Sequence, residues 1–229
     1  VLRRFTNLNV DGIMTHFAVA DDLGQNDFTH LQISRFNWAV EAFKQHGFAP
    51  TYQDLANSPG AIAHLNSRGN MVRLGGILYG LGGDVLPAGI DKPELRPVMS
   101  VLSEIALIKH VKKGESIGYG KTFVTKRDSV IASVPIGYYD GFGRNLSNQG
   151  NIIVSGRKAQ VVGRVSMDWV TIDITDIDAV SVGTPVTIIG TEQDVSLKAE
   201  DIAATLSTIS YEVTCGISAR VPRIFQEKI

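Results

Sequence analysis

Hydrophobic positions follow two different periods along the chain. Up to about Leu81, short apolar runs alternate with a helical pattern, and the runs cover residues 10–17, 61–65 and 71–74. After the first run, one face of an amphipathic helix is formed by Phe28, Leu31, Phe36, Val40 and Phe43. This alternation predicts strand–helix units and therefore an α/β fold, whose chemistry lies in the loops after the strands.

Beyond Pro97 the pattern changes to short β-branched runs separated by turn residues. These runs cover residues 97–111, 130–136, 152–154, 160–163, 169–174 and 185–189. They predict a mainly β domain. One helix is expected to interrupt it at roughly 197–206, with Ser196 as the N-cap and Glu200 and Asp201 near the positive end of the helix dipole.

A stretch rich in glycine and proline separates the two patterns. Residues 82–89 contain three glycines and one proline, and Pro93 and Pro97 follow. Such residues interrupt regular structure. We therefore expect two domains, residues 1–94 and residues 95–229.

Composition excludes several classes of protein. The 229 residues carry a formal net charge of −1 and have no basic block, which argues against a nucleic-acid partner. No apolar run reaches eighteen residues, and the single cysteine cannot form an intrachain disulfide. We expect a cytoplasmic protein without a membrane segment. The histidines other than His16 lack the spacing of metal ligands, so no metal site is predicted.

Three loops after the predicted strands carry polar candidates. They contain His16, the pair Asn57–Ser58, and Arg73 followed by Gly75 and Gly76. In the second half, Tyr119 lies between Gly118 and Gly120, which leave the phenol accessible. A fixed cation, glycines for anion approach and a phenol suggest proton transfer on a phosphorylated cofactor. Taken singly, His16 reads as a structural residue, Arg73 as a surface ion-pair partner and Asn57–Ser58 as a helix cap.

Seven motifs in collinear order give the chain a family resemblance. They are residues 12–18, 56–58, 71–75, 117–120, 135–141, 163–168 and 217–223. In this order and spacing the chain resembles the alanine racemases, which are fold type III pyridoxal-phosphate enzymes. The resemblance implies the C-terminal portion of a (β/α)8 TIM-like barrel followed by a mainly β domain. It also implies a head-to-tail homodimer in which that β domain completes the partner's active site.

The resemblance assigns roles to individual residues. Tyr119 matches one of two catalytic bases, and His16 and Arg73 match its hydrogen-bond network. Arg73 also matches the partner of the pyridine nitrogen. The cofactor phosphate is assigned to Ser58, Asn57, Gly75 and Gly76. The backbone N–H of Met167 is assigned to the substrate carboxylate and Tyr138 to the substrate entrance, with an outer charged layer of Arg144, Arg164 and Asp168.

Two departures from the family pattern qualify this interpretation. The family's Schiff-base Lys and its carboxylate-binding Arg belong to an N-terminal segment that this sequence lacks, so we expect the chain to be part of a larger enzyme. In addition, Ala219 stands where alanine-specific members usually have Tyr.

Three functions therefore remain open. The first is interconversion of L- and D-alanine for bacterial cell-wall precursors. The second, prompted by Ala219, is a serine or broad-specificity racemase of the same fold. The third is a non-catalytic dimerisation fragment.

Overall fold

The computed structural model describes residues 2–226, apart from the side chain of Arg3. It consists of two units, Val1–Arg96 and Pro97–Ile229. The first carries a small parallel sheet with helices, and the second consists mainly of antiparallel strands. The predicted class, α/β units followed by a mainly β domain, is confirmed. Among the described residues, no helix is both long enough and apolar enough to span a membrane.

The N-terminal unit is built on three parallel strands in the order β1-β2-β3. They are β1 (Gly12–Met14), β2 (Tyr52–Ala56) and β3 (Met71–Val72). Helix α1 (Asn26–Gln45) connects β1 to β2, and helix α2 (Ser58–Ala63) follows β2 directly. Because the strands run parallel, the loops that follow them meet at one edge of the sheet.

Helix α1 covers the sheet with a face that differs in part from the predicted stripe. Ile33, Phe36 and Val40 are buried and form a core with Phe17 and Leu55. Phe28 and Leu31, by contrast, remain exposed. Their assignment to the buried stripe was wrong, since residue 33 and not residue 31 shares a helix face with residues 36 and 40.

The run at 61–65 is not a strand. Its first three residues belong to α2, and the strand that precedes it is β2, whose sequence is too polar to have stood out. Asn57 explains the helix, because its side chain accepts a hydrogen bond from the Gly60 N–H at 3.0 Å and so caps the first turn. Pro59, also in the first turn, suits a helix start because it lacks an N–H that would need an intrahelical partner.

The described residues of the C-terminal unit, 97–226, form ten short strands. They are β4 (Val101–Glu104), β5 (Leu107–Val111), β6 (Ser116–Ile117), β7 (Phe123–Val124), β8 (Ser129–Val134), β9 (Asn151–Val154), β10 (Arg157–Gln160), β11 (Val170–Asp173), β12 (Pro185–Glu192) and β13 (Val195–Leu197).

These strands form three antiparallel sheets. The largest has the order β10-β9-β12-β13, with β4 also paired to β12. A second has the order β11-β8-β5, in which Ala132 faces Ile172 on one side and Ile108 on the other. Strands β6 and β7 make a two-stranded ribbon. The fully buried side chains of β8, β9 and β11 include Val134, Ile153 and Ile172, which form part of the unit's core.

Two helices follow the strands, where the sequence predicted one. Helix α3 (Ala199–Leu206) begins after Lys198, and the Asp201 carboxylate accepts the Lys198 N–H at 2.8 Å. Ser196 is therefore not the N-cap; it lies in β13, and its hydroxyl is 2.7 Å from that of Thr191. Helix α4 (Ser210–Cys215) was not predicted, because six residues carry too little periodicity.

Candidate active site

Arg73 organises the edge of the parallel sheet. It follows β3, and its Nη2 donates to the Thr15 carbonyl at 3.1 Å and to Nδ1 of His16 at 2.9 Å. Its Nη1 lies 2.5 Å from Oδ2 of Asp54. The sequence-predicted residues His16 and Arg73 are thus in direct contact, after β1 and β3 respectively.

The Arg73 contact fixes the tautomer of His16. A guanidinium has only N–H donors, so Nδ1 of the imidazole must be the acceptor in this bond. Neutral His16 therefore carries its proton on Nε2. That nitrogen is left as a donor with no hydrogen-bond partner in the described part of the chain.

Asp54 is a member of this site that sequence reasoning missed. Its side chain is only 6% exposed, at an interior position of β2. The separation from Arg73 is that of a close ion pair, yet Nη1 has no hydrogen bond of acceptable direction within residues 2–226, so the contact is electrostatic. An acidic residue three positions before the Asn57 cap was the available signal, but it went unread because β2 itself was not predicted.

Ser58 and Gly75 are joined by a hydrogen bond. The Ser58 side chain is buried, and its Oγ accepts the Gly75 N–H at 3.1 Å. In the described part of the chain, the Ser58 hydroxyl proton has no acceptor. Gly76 begins a short helical turn, Gly76–Tyr79. The Gly75 N–H, which sequence reasoning directed at a phosphate, is thus engaged by Ser58, and Asn57 serves as the cap of α2.

Tyr119 lies in the C-terminal unit, between β6 and β7. The residue is 71% exposed, and the flanking Gly118 and Gly120 adopt φ angles of +73° and +70°. Side chains at these glycines would crowd Arg164: an added Cβ would lie 3.1 Å from Arg164 N at position 118 and 3.2 Å from Arg164 Nη1 at position 120. Two glycines therefore let the Arg164 turn pack against the segment that presents the phenol.

An open cavity of about 390 Å³ lies beside Tyr119. It is lined by Gly118, Tyr119, Arg164, Ser166, Trp169, Val170 and Thr171. The Tyr119 hydroxyl has no hydrogen-bond partner among the described residues. The phenol is thus presented to a space large enough for a small molecule or for a side chain of another subunit.

Met167 and Tyr138 lie on two loops that are bonded to each other. The Tyr138 and Tyr139 N–H groups donate to the carbonyls of Ser166 and Met167, both at 3.0 Å. The Met167 N–H has no acceptor within residues 2–226. It is therefore available to an anion, which is the role that the sequence assigned to it.

The predicted charged residues are not joined to one another by ion pairs in the described structure. Asp168 instead accepts from Nη2 of Arg220 at 2.6 Å, whereas Arg144 and Arg164 have no ion pair in this part of the chain. Arg220 also forms a two-pronged contact with Asp140, at 2.6 Å and 3.0 Å. Hydrogen bonds to Asp140 and Asp168 raise the pKa of Arg220 above its ordinary value, so it stays charged.

Known proteins match this chain over almost its whole length. The family model described as "Alanine racemase, N-terminal domain" matches residues 1–82, and that described as "Alanine racemase, C-terminal domain" matches residues 98–225. An alanine racemase of Geobacter sulfurreducens is 42% identical over 98% of this chain. The match covers 59% of that relative, so the chain spans about three-fifths of its length.

Solved structures give the same result. An alanine racemase of Bacillus anthracis, with bound L-Ala-P, superposes with a TM-score of 0.86 at 36% identity, over 94% of this chain and 55% of that one. An alanine racemase of Bartonella henselae with covalently bound pyridoxal phosphate gives 0.80 at 29% identity, over 93% and 56%. The predicted partial barrel with a C-terminal β domain is confirmed by these neighbours. On the match of both family models, the chain belongs to the alanine racemase family.

Proposed function

We propose that this chain forms part of a pyridoxal-phosphate-dependent alanine racemase, which interconverts L- and D-alanine. One observation carries the proposal: Arg73, His16 and Asp54 converge at the edge of the parallel sheet, each after or within a different strand. An ordinary surface ion pair has neither a buried carboxylate nor an imidazole whose tautomer is set by the cation. The group of three therefore favours a functional site over a surface ion pair.

The residues present fit the cofactor. The Arg73 side chain is 26% exposed, and although its Nη1 lies buried against Asp54, a guanidinium carries several other N–H donors, so one of them is left for a pyridine nitrogen. Ser58 retains its hydroxyl proton for a phosphate oxygen. The Gly75 N–H, which donates to Ser58, brings the backbone close to the same hydroxyl, and Gly76 follows it directly in the sequence. When bound, pyridoxal phosphate would withdraw electrons from Cα of the amino acid and so acidify its C–H bond.

An arginine at the ring nitrogen would moderate that withdrawal. The Arg73 guanidinium has only N–H donors, so it disfavours a proton on the ring nitrogen. Asp54 and the Thr15 carbonyl hold the guanidinium in place. Under this proposal the chain restrains the cofactor's electron demand and so limits side reactions.

Tyr119 would take up and return the proton on one face of Cα. Racemisation needs a base on each face, and the second base would be a lysine outside this chain. A phenol gives up its proton more readily near a fixed cation, and in a head-to-tail homodimer Arg73 of the other subunit would provide it. The exposure of Tyr119 and the cavity beside it favour completion of the site by a second subunit.

The other predicted residues would orient the substrate. The Met167 N–H would bind the alanine carboxylate, and Tyr138 would line the entrance. Arg144, Arg164 and Asp168 would make the outer charged layer, with Asp168 held by Arg220. We further propose that the enzyme acts in the cytoplasm, where it supplies D-alanine for cell-wall precursors.

Solvent deuterium exchange tests the two-base assignment. The complete protein that contains this chain, loaded with pyridoxal phosphate, is expected to exchange Cα–H of both alanine enantiomers. Tyr119→Phe should still exchange one enantiomer, without inversion, because the remaining base can remove and return a proton only on its own face. We expect racemisation to fall by roughly 100-fold or more. Equal exchange of both enantiomers by the variant would refute the role of Tyr119.

Ala219 supports a second candidate, a serine or broad-specificity racemase. Its methyl side chain lies in an exposed turn before Arg220, so it occupies less volume than the tyrosine usual in the family. The ratio of kcat/KM for serine and alanine, from the same assay, decides between the candidates. A protein that binds the cofactor but exchanges neither enantiomer would instead be a non-catalytic dimerisation fragment.

A further inference from the structure

We propose that Arg220 is a positioning residue that holds the Met167 amide and Tyr138 in the geometry needed for the substrate carboxylate. This inference rests on the proposed function, because it assigns Arg220 to the same site. It concerns a residue to which neither the sequence motifs nor the comparisons gave a role.

Arg220 joins three segments that are distant in sequence. Its Nε and Nη2 contact both carboxylate oxygens of Asp140, at 2.6 Å and 3.0 Å, and Nη2 also contacts Asp168 at 2.6 Å. The guanidinium carbon lies 4.4 Å from the centre of the Tyr139 ring, within the range of a cation–π contact. One side chain therefore connects the loop at 137–140, the loop at 166–168 and the segment at 217–223.

Asp140 transmits the position of Arg220 to the Tyr138 loop. Its Oδ2 accepts the Gly137 N–H at 2.8 Å, and its carbonyl accepts the Ser218 N–H at 3.0 Å. The Asp140 carboxylate thus bonds to another residue of its own loop, while Arg220 binds the same carboxylate from a separate segment. Tyr138 lies inside this closed turn, so the direction of its side chain depends on the Arg220–Asp140 contact.

Asp168 transmits the position of Arg220 to the loop that carries the Met167 amide. The Met167 carbonyl is fixed by the Tyr139 N–H, and the following side chain is fixed by Arg220. The free Met167 N–H belongs to the preceding peptide unit, whose Ser166 carbonyl accepts the Tyr138 N–H at 3.0 Å. Releasing Asp168 would remove one of the restraints on this loop and allow both peptide units to shift, which would change the direction of the Met167 N–H.

Arg220 is unsuited to bind the substrate carboxylate itself. One of the two contacts of Nη2 and the contact of Nε go to Asp140, and the two aspartates outnumber the single positive charge. The neighbouring Arg223 donates to the carbonyls of Ile217 and Val221 at 2.7 Å and 2.6 Å. These bonds fix the backbone of the segment at 217–223 and so help to set the position of Arg220.

The test uses the complete, cofactor-loaded protein with Arg220→Gln and a matched control, Arg127→Gln. Arg127 also makes a two-pronged contact with an aspartate, Asp176, in the same unit, but it touches neither loop. We measure KM and kcat for alanine. We also measure inhibition by propionate, which has alanine's carboxylate and methyl group but no amine.

Loss of the Arg220 contacts should act on carboxylate binding. We expect Arg220→Gln to raise KM for alanine and the inhibition constant of propionate together, by about tenfold or more, while kcat changes by less than about threefold. Pyridoxal-phosphate affinity should stay at the wild-type value, since the proposed cofactor groups belong to the other unit. Arg220→Lys should recover only part of the loss, because an ammonium keeps the charge but not the planar fork.

A second readout does not depend on catalysis. The Tyr138 and Tyr139 amides should exchange with deuterium faster in Arg220→Gln than in wild type or Arg127→Gln. If wild type fails to racemise alanine, the proposed function fails, and this exchange still decides whether Arg220 holds the loops.

Unchanged KM, propionate inhibition and amide exchange in a folded Arg220→Gln would overturn the inference. Should that variant not fold, Asp168→Asn replaces it, since it removes the negative charge that Arg220 contacts at this half-exposed position and so weakens the contact. It must shift KM and propionate inhibition in the same direction. Wild-type values for Asp168→Asn would equally count against the inference.

Discussion

Gly137→Ala is the sharpest test of how the substrate-side loops are packed. A Cβ added to Gly137 would lie 2.3 Å from the Met167 carbonyl oxygen and 2.4 Å from that of Ser166. Both atoms are backbone, so neither can move aside by a change of rotamer. The two loops must separate by about 1 Å before the methyl group fits between them.

The cost follows from what that separation breaks. The Tyr138 and Tyr139 N–H groups would lose their 3.0 Å bonds to the Ser166 and Met167 carbonyls, at about 0.5–1.5 kcal/mol each. Overpacking adds about 1–3 kcal/mol. The sum is roughly 2–6 kcal/mol, and a central value of about 4 kcal/mol corresponds to a fall in Tm of roughly 8–16 °C.

Gly143→Ala is the matched control, in the same unit. Its added Cβ would meet only the Leu206 side chain, at 3.5 Å, and the backbone angles of Gly143 suit an ordinary L-residue. Alanine there should be neutral or stabilise by up to about 1 kcal/mol. Urea unfolding of both variants measures the difference directly. A free energy of unfolding for Gly137→Ala within about 1 kcal/mol of Gly143→Ala would refute the reasoning.

Two further predictions concern charge. Asp54→Asn removes the buried negative charge beside Arg73 and should lower the free energy of unfolding by about 1–3 kcal/mol, measured by urea denaturation. A loss below about 0.5 kcal/mol would mean that the charge pair contributes little to stability. Hydrogen bonding by Arg127 lowers the pKa of Asp176, so the pair's contribution to stability is present above the ordinary Asp pKa and is lost as the pH falls through the lowered folded-state pKa. In NMR titrations, Arg127→Gln should return the pKa of Asp176 toward its usual value, and an unchanged titration would exclude the pairing as the cause.

The sequence predicted the class of each half because strand and helix periods differ over long windows. It failed where a short element decides the outcome. The predicted buried face of α1 was wrong in part because Phe28 and Leu31 are large and apolar but lie outside the face that packs on the sheet. Strand β2 lies in the centre of its sheet, where an apolar sequence is usual, but Tyr52–Ala56 contains polar residues. The hydrophobic pattern therefore gave no sign of this strand.

The candidate site residues also divide into those that a local sequence pattern predicts and those that it does not. His16, Arg73 and Tyr119 stand in local patterns that a reader of the sequence can find. The ion-pair partners of Arg220, Asp140 and Asp168, lie 80 and 52 residues away in the sequence. No local pattern encodes such a pairing, because it depends on how three turns are brought together. The Gly75 N–H was assigned to a phosphate for the same reason: its bond to Ser58 becomes visible only in three dimensions.

The two units hold their site residues in different ways, and this difference predicts how each responds to substitution. At the parallel sheet, one guanidinium binds a carbonyl, an imidazole and a carboxylate, so geometry depends on charge and on donor number. Around Tyr119 and Met167, geometry depends on backbones that approach closely at glycines such as Gly118 and Gly137. Isosteric changes of charge should therefore damage the first region most, and added methyl groups the second. Arg220 is the exception within the second region, since it ties close-packed backbones together with charge.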